Sequence, residues 1–168
     1  MRDTLKIINQ LKTKRLLLDY AIGGGTGILF YTEAFPTYDL DIFVVVKQAN
    51  GLLDFSPIFR YLTGLGYKWK GEHIIVEGTP VQFIPTTPLT EEAVNCSRVI
   101  RFEGIRAKVL SPEYLLAVLL QTGRPKDKIR AELLLRQTEL DRSKLRGIFN
   151  RFQLETKYTG WFGDTQVG

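Results

Sequence analysis

The stretch Tyr20-Ala21-Ile22-Gly23-Gly24-Gly25-Thr26, followed by Thr37-Tyr38-Asp39-Leu40-Asp41-Ile42-Phe43-Val44, decides how the rest of the 168-residue chain is read. Residues 20–23 have the makings of a short buried strand that runs into a glycine turn and then into a helix expected at about 27–33. Residues 38–46 form the clearest strand of the sequence. Its first half alternates, with Leu40, Ile42 and Val44 on one face and Asp39, Asp41 and Phe43 on the other. Side chains two apart on a strand project together, so Asp39 and Asp41 place two carboxylates side by side. Like charges that close repel, and a bound cation is the usual resolution. Two aspartate oxygens with phosphate oxygens and water suit an octahedral Mg²⁺, with Mn²⁺ as the alternative. Taken alone, the Asp-x-Asp pair equally describes a strand that begins on a solvated face.

The glycine turn supplies the second half of the chemistry. Where a strand turns into a helix, free backbone N–H groups attract anions, and the absence of side chains lets a phosphate approach closely. Gly24 and Gly25 provide that surface, and Thr26 adds a hydroxyl. No lysine follows in the Gly-Lys-Ser/Thr position, so this is not a P-loop, and the Gly-x-Gly-x-x-Gly fingerprint is absent. A tight turn without a ligand is the competing reading. The Asp-x-Asp strand that follows shifts the balance towards a metal with a phosphate.

Outward from this centre, residues 3–15 place Leu5, Ile8 and Leu11 on one helical face, with Asp3 expected as N-cap. A helix is expected near 55–65, stopped by Gly64 and Gly66. Strands follow at 67–70, 73–77 and 81–85, the last two turning through Gly78-Thr79-Pro80. A further pair at 98–102 and 106–109 turns through Glu103-Gly104. From Ser111-Pro112-Glu113 the period becomes helical, with a cap, a proline at the first position and an acid in the first turn. Helices are expected up to Gly123, at 126–138 and at 141–151. The chain therefore divides into an α/β core over 1–110, helices over 111–155 packed on it, and a less ordered tail over 156–168, all within one compact α+β domain.

Composition excludes several classes. The chain is 44% hydrophobic and 24% charged, and no apolar run reaches membrane-spanning length. The charged, amphipathic N-terminus argues against a secretory signal, and the single Cys96 allows no internal disulfide, so a reducing cytoplasm is expected. A net charge of +5 is compatible with a nucleotide or RNA but is a mild bias. Arg98, Arg101, Arg106 and Lys108 read more simply as an exposed strand face than as an RNA-binding strip. Trp69, Trp161 and Phe162 read as packing elements before base-stacking platforms. His73, the sole histidine, reads as a surface strand residue.

The order strand, Gly-Gly-Thr, helix, then Thr37-Tyr38-Asp39-Leu40-Asp41 resembles the polymerase-beta-like nucleotidyltransferase superfamily. The later run Val109-Leu110-Ser111-Pro112-Glu113-Tyr114-Leu115-Leu116-Ala117, with Gly123-Arg124-Pro125-Lys126-Asp127, is similar to its AbiEii-like branch. That branch includes toxin components of toxin–antitoxin systems. The resemblance spans roughly residues 16–150 and implies a nucleotidyltransferase-like mixed sheet flanked by helices, with a C-terminal helical segment. It also implies transfer of a nucleoside monophosphate from an NTP to the hydroxyl of a tRNA, a protein or a small molecule. Gly24, Gly25 and Thr26 would hold the triphosphate, Asp39 and Asp41 the metal, and Lys126 and Asp127 would match a Lys-Asp pair near the active site. Arg124 is added as a phosphate contact on chemical grounds, because a planar guanidinium suits bidentate contacts. An antitoxin partner is implied for toxin-type members.

Three departures keep a second reading open. Val81-Gln82-Phe83-Ile84 repeats the alternation of Leu40-Asp41-Ile42, so Gln82 takes the place where the superfamily carries a third carboxylate. An amide can offer an oxygen to a metal but cannot act as a general base. Leu119 stands where the branch tends to have a lysine, and Arg130 where it favours another aspartate. Glu77 or Glu103 could supply the missing carboxylate from a neighbouring strand. The alternative is a nucleotide-binding or protein-interaction module without catalysis.

Overall fold

The computed structural model describes residues 1–33 and 35–163. Among them, α1 (Arg2–Thr13) buries Leu5, Ile8 and Leu11 completely, as their spacing requires. Asp3 is not its cap; Met1 holds that position and Asp3 lies in the first turn, where it pairs with Lys6. β1 (Asp19–Ile22) leads into α2 (Gly24–Ile28), which starts at the glycines themselves rather than after them and is only five residues long. β2 (Leu40–Val45) buries Leu40, Ile42 and Val44 on one face. A small hairpin of β3 (Gln48–Ala49) and β4 (Leu52–Leu53) follows, turned by Asn50 and Gly51 at positive φ.

α3 (Ser56–Gly64) precedes the edge strand β5 (Lys68–Lys70) and the strands β6 (His73–Val76) and β7 (Thr79–Pro85) that join it to the centre of the sheet. The β6–β7 turn is Glu77-Gly78, both at positive φ, so Thr79 and Pro80 lie inside β7 rather than in the turn. The sequence reading missed α4 (Pro88–Asn95). Its Thr87 cap, reciprocal bonding with Thr90 and proline at the start are signals of the kind used at Ser111-Pro112.

β8 (Arg98–Phe102) and β9 (Ile105–Val109) form the expected hairpin. The helices α5 (Pro112–Thr122), α6 (Pro125–Gln137) and α7 (Arg142–Phe152) agree with the reading to within a residue or two. α5 ends on Gly123 in the left-handed conformation that suits glycine. Ser111 stands at its N-cap position, but its hydroxyl donates to Glu113 instead of capping. The stretch expected as a loose tail carries α8 (Glu155–Phe162), which buries Tyr158 against Phe149; residues 164–168 lie outside the described residues.

Seven of the described strands form one mixed sheet in the order β5-β6-β7-β2-β1-β9-β8. The pairs β2–β7 and β1–β9 are parallel and the others antiparallel. Because side chains alternate across the sheet, each face builds its own core. Leu40, Ile42, Val44, Ile74 and Val81 meet the apolar sides of α1 and α3 on one face. Ala21 and Phe43 meet α4, α5 and the C-terminal helices on the other. The fully buried Glu113 ties that helical layer together, with its carboxylate bonded by Ser111, by Lys144 of α7 and by the Asp141 backbone N–H. No helix among the described residues is long and apolar enough to cross a membrane.

Candidate active site

Asp39 and Asp41 stand at the start of β2, on the sheet face that carries the C-terminal helices. The glycine turn is pinned against them by two bonds. The Gly23 N–H donates to the Asp41 carbonyl at 3.0 Å, and the Thr26 hydroxyl donates to the Asp39 carbonyl at 2.8 Å. Gly24 has φ +55°, and a Cβ there would overlap the Asp41 carboxylate. A Cβ at Gly25 would lie 2.6 Å from the Thr37 hydroxyl and 2.9 Å from the Arg130 guanidinium. Both glycines are therefore needed for a close approach of backbone to acid and base alike. Because α2 is so short, any anion attraction at this turn comes from its N–H groups more than from a helix dipole. The Thr26 hydroxyl, expected to meet a phosphate, clamps the turn to the strand.

Burial of Asp41 pushes its carboxyl above the usual range, and the neighbouring Asp39 charge raises it further; Arg130, Arg124 and His73 offset part of this. Among the described residues the charged neighbours act on the Asp41 carboxylate through space, with no hydrogen bond among the main influences on it. Asp39 is more open, with 42% of its side chain exposed; Thr37 lies 3.4 Å from one oxygen and His73 Nε2 3.7 Å from the other. In the parallel β2–β7 ladder Asp41 is in register with Gln82, so the amide occupies the place beside the acid. Glu77 and Glu103 do not fill that role, since each sits in an exposed hairpin turn. No three His, Cys, Asp or Glu side chains converge on a metal position among the described residues.

The predicted basic residues separate. Arg124 and Asp127 form a capping pair at the start of α6. The buried Asp127 accepts from the Arg124 backbone N–H at 3.2 Å, from its Nε at 2.7 Å and from its terminal nitrogen at 3.1 Å. Burial opposes ionisation of Asp127, yet these bonds hold its carboxyl below the usual range. Asp127, expected to contact the nucleotide, is bonded to Arg124 and orients its guanidinium. Lys126 is exposed and faces a different groove, with Phe35, Pro36, Ile129 and Leu133.

Arg124 instead lines a cavity of about 290 Å³ shared with Gly24, Asp41, Gln82 and Arg130. Its walls are largely apolar, including Phe43 and Ile84 of the sheet and Leu115 and Leu119 of α5. Leu119 therefore serves the cavity wall in the place where a lysine was expected.

The structure adds two residues the sequence reading passed over. Arg130 reaches both the glycine turn and the Asp41 cavity. His73, expected on a free surface, is half-buried, and its Nε2 is covered without a hydrogen-bond partner among the described residues. Other candidates lie elsewhere. Arg101, Arg106 and Lys108 share one face of the β8–β9 ladder, while Arg98 is on the other, over the Tyr31 ring. Trp69 packs edge-on against Phe59, and in the C-terminal layer Phe162 packs against Tyr158 and Trp161 edge-on against Phe162. Cys96 is exposed.

Comparison with known proteins places this arrangement among similar folds. No family model and no curated protein sequence matches the chain. The chain is similar to an antigenic nucleotidyltransferase-like protein from Paracoccidioides brasiliensis, with a TM-score of 0.51 at 14% identity over 95% of this chain and 91% of that one. It is also similar to the antibiotic-resistance factor ANT(2'')-Ia, in its solution structure at 0.51 and 14% identity over 93% of each chain. The crystal structure of ANT(2'')-Ia in complex with adenylyl-2''-tobramycin gives 0.52 and 14% identity, over 94% of this chain and 95% of that one. With its mixed sheet flanked by helices, the chain has the α+β fold of nucleotidyltransferase-like proteins.

Proposed function

We propose that this chain is a nucleotidyltransferase that binds an NTP with a divalent cation, Mg²⁺ or Mn²⁺, at Asp39 and Asp41. The observation that carries this reading is the packing of Gly24 directly on the Asp41 carboxylate, which sets phosphate-binding N–H groups beside a metal-binding acid. The donor set fits one such ion. Two adjacent carboxylates, one of them buried and pushed above its usual range, gain most from a cation, and Mg²⁺ needs only one or two carboxylates when phosphates and waters complete its shell. Bound there, the ion would neutralise phosphate charge and polarise the phosphorus under attack.

The remaining work falls to the chain itself. The N–H groups of Gly24, Gly25 and Thr26 would orient the phosphates, and Arg124 and Arg130 would balance their charge. Arg124 is suited to this because the buried Asp127 fixes its guanidinium in advance. The apolar walls of the cavity exclude water from the reacting end. With Asp41 the sole acid on that lining among the described residues, the cavity suits a neutral or anionic acceptor better than a polycation. Membership of the AbiEii-like branch, with an antitoxin partner, rests on the order of the segments between residues 109 and 127.

Gln82 beside Asp41 favours a second reading, a nucleotide-binding module without transfer, because no general base stands in that register position. One assay separates the two. Cell extract is incubated with an α-³²P-labelled NTP and either the wild-type chain or an Asp39→Asn/Asp41→Asn variant. Label that enters an acceptor only with the wild type supports transfer. NTP binding without any such label supports the binding module.

A further inference from the structure

We propose that His73 is a metal ligand, its Nε2 sharing a divalent cation with Asp39 Oδ2, so that the site selects Mn²⁺ over Mg²⁺. The inference rests on the nucleotide-site reading, since Asp39 is one of its two acids. It begins from an unpaired atom. His73 Nε2 is covered by protein and has no hydrogen-bond partner among the described residues, a condition that costs free energy unless something else satisfies the nitrogen.

The nearest charged oxygen, Asp39 Oδ2, lies 3.7 Å away, too far for a hydrogen bond. That separation does suit two ligands of one ion, which at roughly 2.1 Å each from the metal stand about 3–4 Å apart. The fold makes the pairing by register. His73 opens β6 one residue before Ile74, which pairs with Val81, and Val81 pairs in turn with Leu40. Ile74, Val81 and Leu40 all enter the same core, so His73, Gln82 and Asp41 lie on the opposite face, that of the cavity.

The chemistry of the donors then sets the preference. An all-oxygen site suits Mg²⁺, whereas an imidazole nitrogen is a better donor to first-row transition ions. Among these, Mn²⁺ is the one that also keeps carboxylate, phosphate and water oxygens as its ligands. His73 and the two aspartates do not converge into a closed three-ligand cluster, so the remaining positions would go to exchangeable oxygens from water and phosphate. Such an open shell is what a site that must admit a substrate phosphate requires.

Because His73 is the only histidine, imidazole nitrogen coupling to a bound ion can be assigned without labelling. The test is pulsed electron paramagnetic resonance of Mn²⁺ on the whole chain, alone and with inorganic pyrophosphate, which contributes no nitrogen. Affinities for Mn²⁺ and Mg²⁺ are measured in parallel for the wild type, His73→Gln and Asp39→Asn/Asp41→Asn. The expected result is ¹⁴N modulation in the wild type that vanishes in His73→Gln. Mn²⁺ affinity should fall at least about tenfold in His73→Gln, the scale seen on losing even an outer-shell partner, with Mg²⁺ affinity little changed. Bound Mn²⁺ without ¹⁴N modulation, lost only in the aspartate variant, would overturn the histidine ligand and leave the nucleotide site standing. Mn²⁺ binding that is absent, or unchanged in the aspartate variant, would overturn both.

Discussion

At Asp41, two electrostatic costs fall on one side chain, burial and the adjacent Asp39 charge, and both push its carboxyl above the usual range. A group whose pKa is raised by folding favours the native state only while protonated. Its contribution is full below the ordinary carboxylate range and is lost as the pH rises through the raised value. Replacing Asp41 with the neutral, near-isosteric asparagine should therefore raise the melting temperature at pH 7 in metal-free buffer, with the gain shrinking as the pH falls through the raised value and gone below the ordinary range. Thermal melts of the wild type and Asp41→Asn between pH 3 and pH 8 check this (an order-of-magnitude window around the carboxylate range). Equal melting temperatures throughout would mean that Asp41 is not strained. At this scale the site was partly legible. Asp39, Asp41 and the glycines are read from spacing alone, because strand alternation and a strand-to-helix turn are local. His73 and Arg130 were not, since each reaches the site through packing between segments distant in sequence.

Among the elements, the N-terminus of α6 carries the sharpest contrast. Lys126 and Asp127 are adjacent in sequence but face different surroundings, one an outer groove and the other a buried bond to Arg124. Asp127→Ala should cost about 1 kcal/mol of stability, the usual scale for losing an N-terminal cap, and weaken NTP binding by releasing Arg124. Lys126→Ala should leave both nearly unchanged. Urea denaturation and titration calorimetry measure the two effects, and equal losses in both variants would contradict this division of roles. The reading of elements followed the strength of local signals. Ser111-Pro112-Glu113 and Gly123 bracketed α5 correctly, whereas the comparable start at Thr87-Pro88 went unread because α4 is short and bounded by strands. α8 was missed because glycine and aromatic residues obscure its period, although burial of Tyr158 against Phe149 supplies the stability that the local sequence lacks.

Over the whole molecule, a mixed sheet with a separate core on each face leaves the start of β2 as the place where acid, glycine turn and helical layer meet. The cavity between them is closed by α5 and by the start of α6, so its arginines come from the C-terminal helices, its acid from the sheet and its apolar walls from both. The sequence carried this division as a change of period near Ser111. It did not carry how the helices close over Asp41, which depends on long-range contacts such as the Glu113–Lys144 pair. If the meeting point is a metal–nucleotide site, both halves must act on one ligand. Titration calorimetry of a non-hydrolysable NTP with Mg²⁺ or Mn²⁺ into the wild type and Asp39→Asn/Asp41→Asn decides this. The expected result is metal-dependent binding by the wild type and a loss of about a hundredfold or more in the variant, about 2.7 kcal/mol. Equal, metal-independent affinity in the two proteins would contradict it.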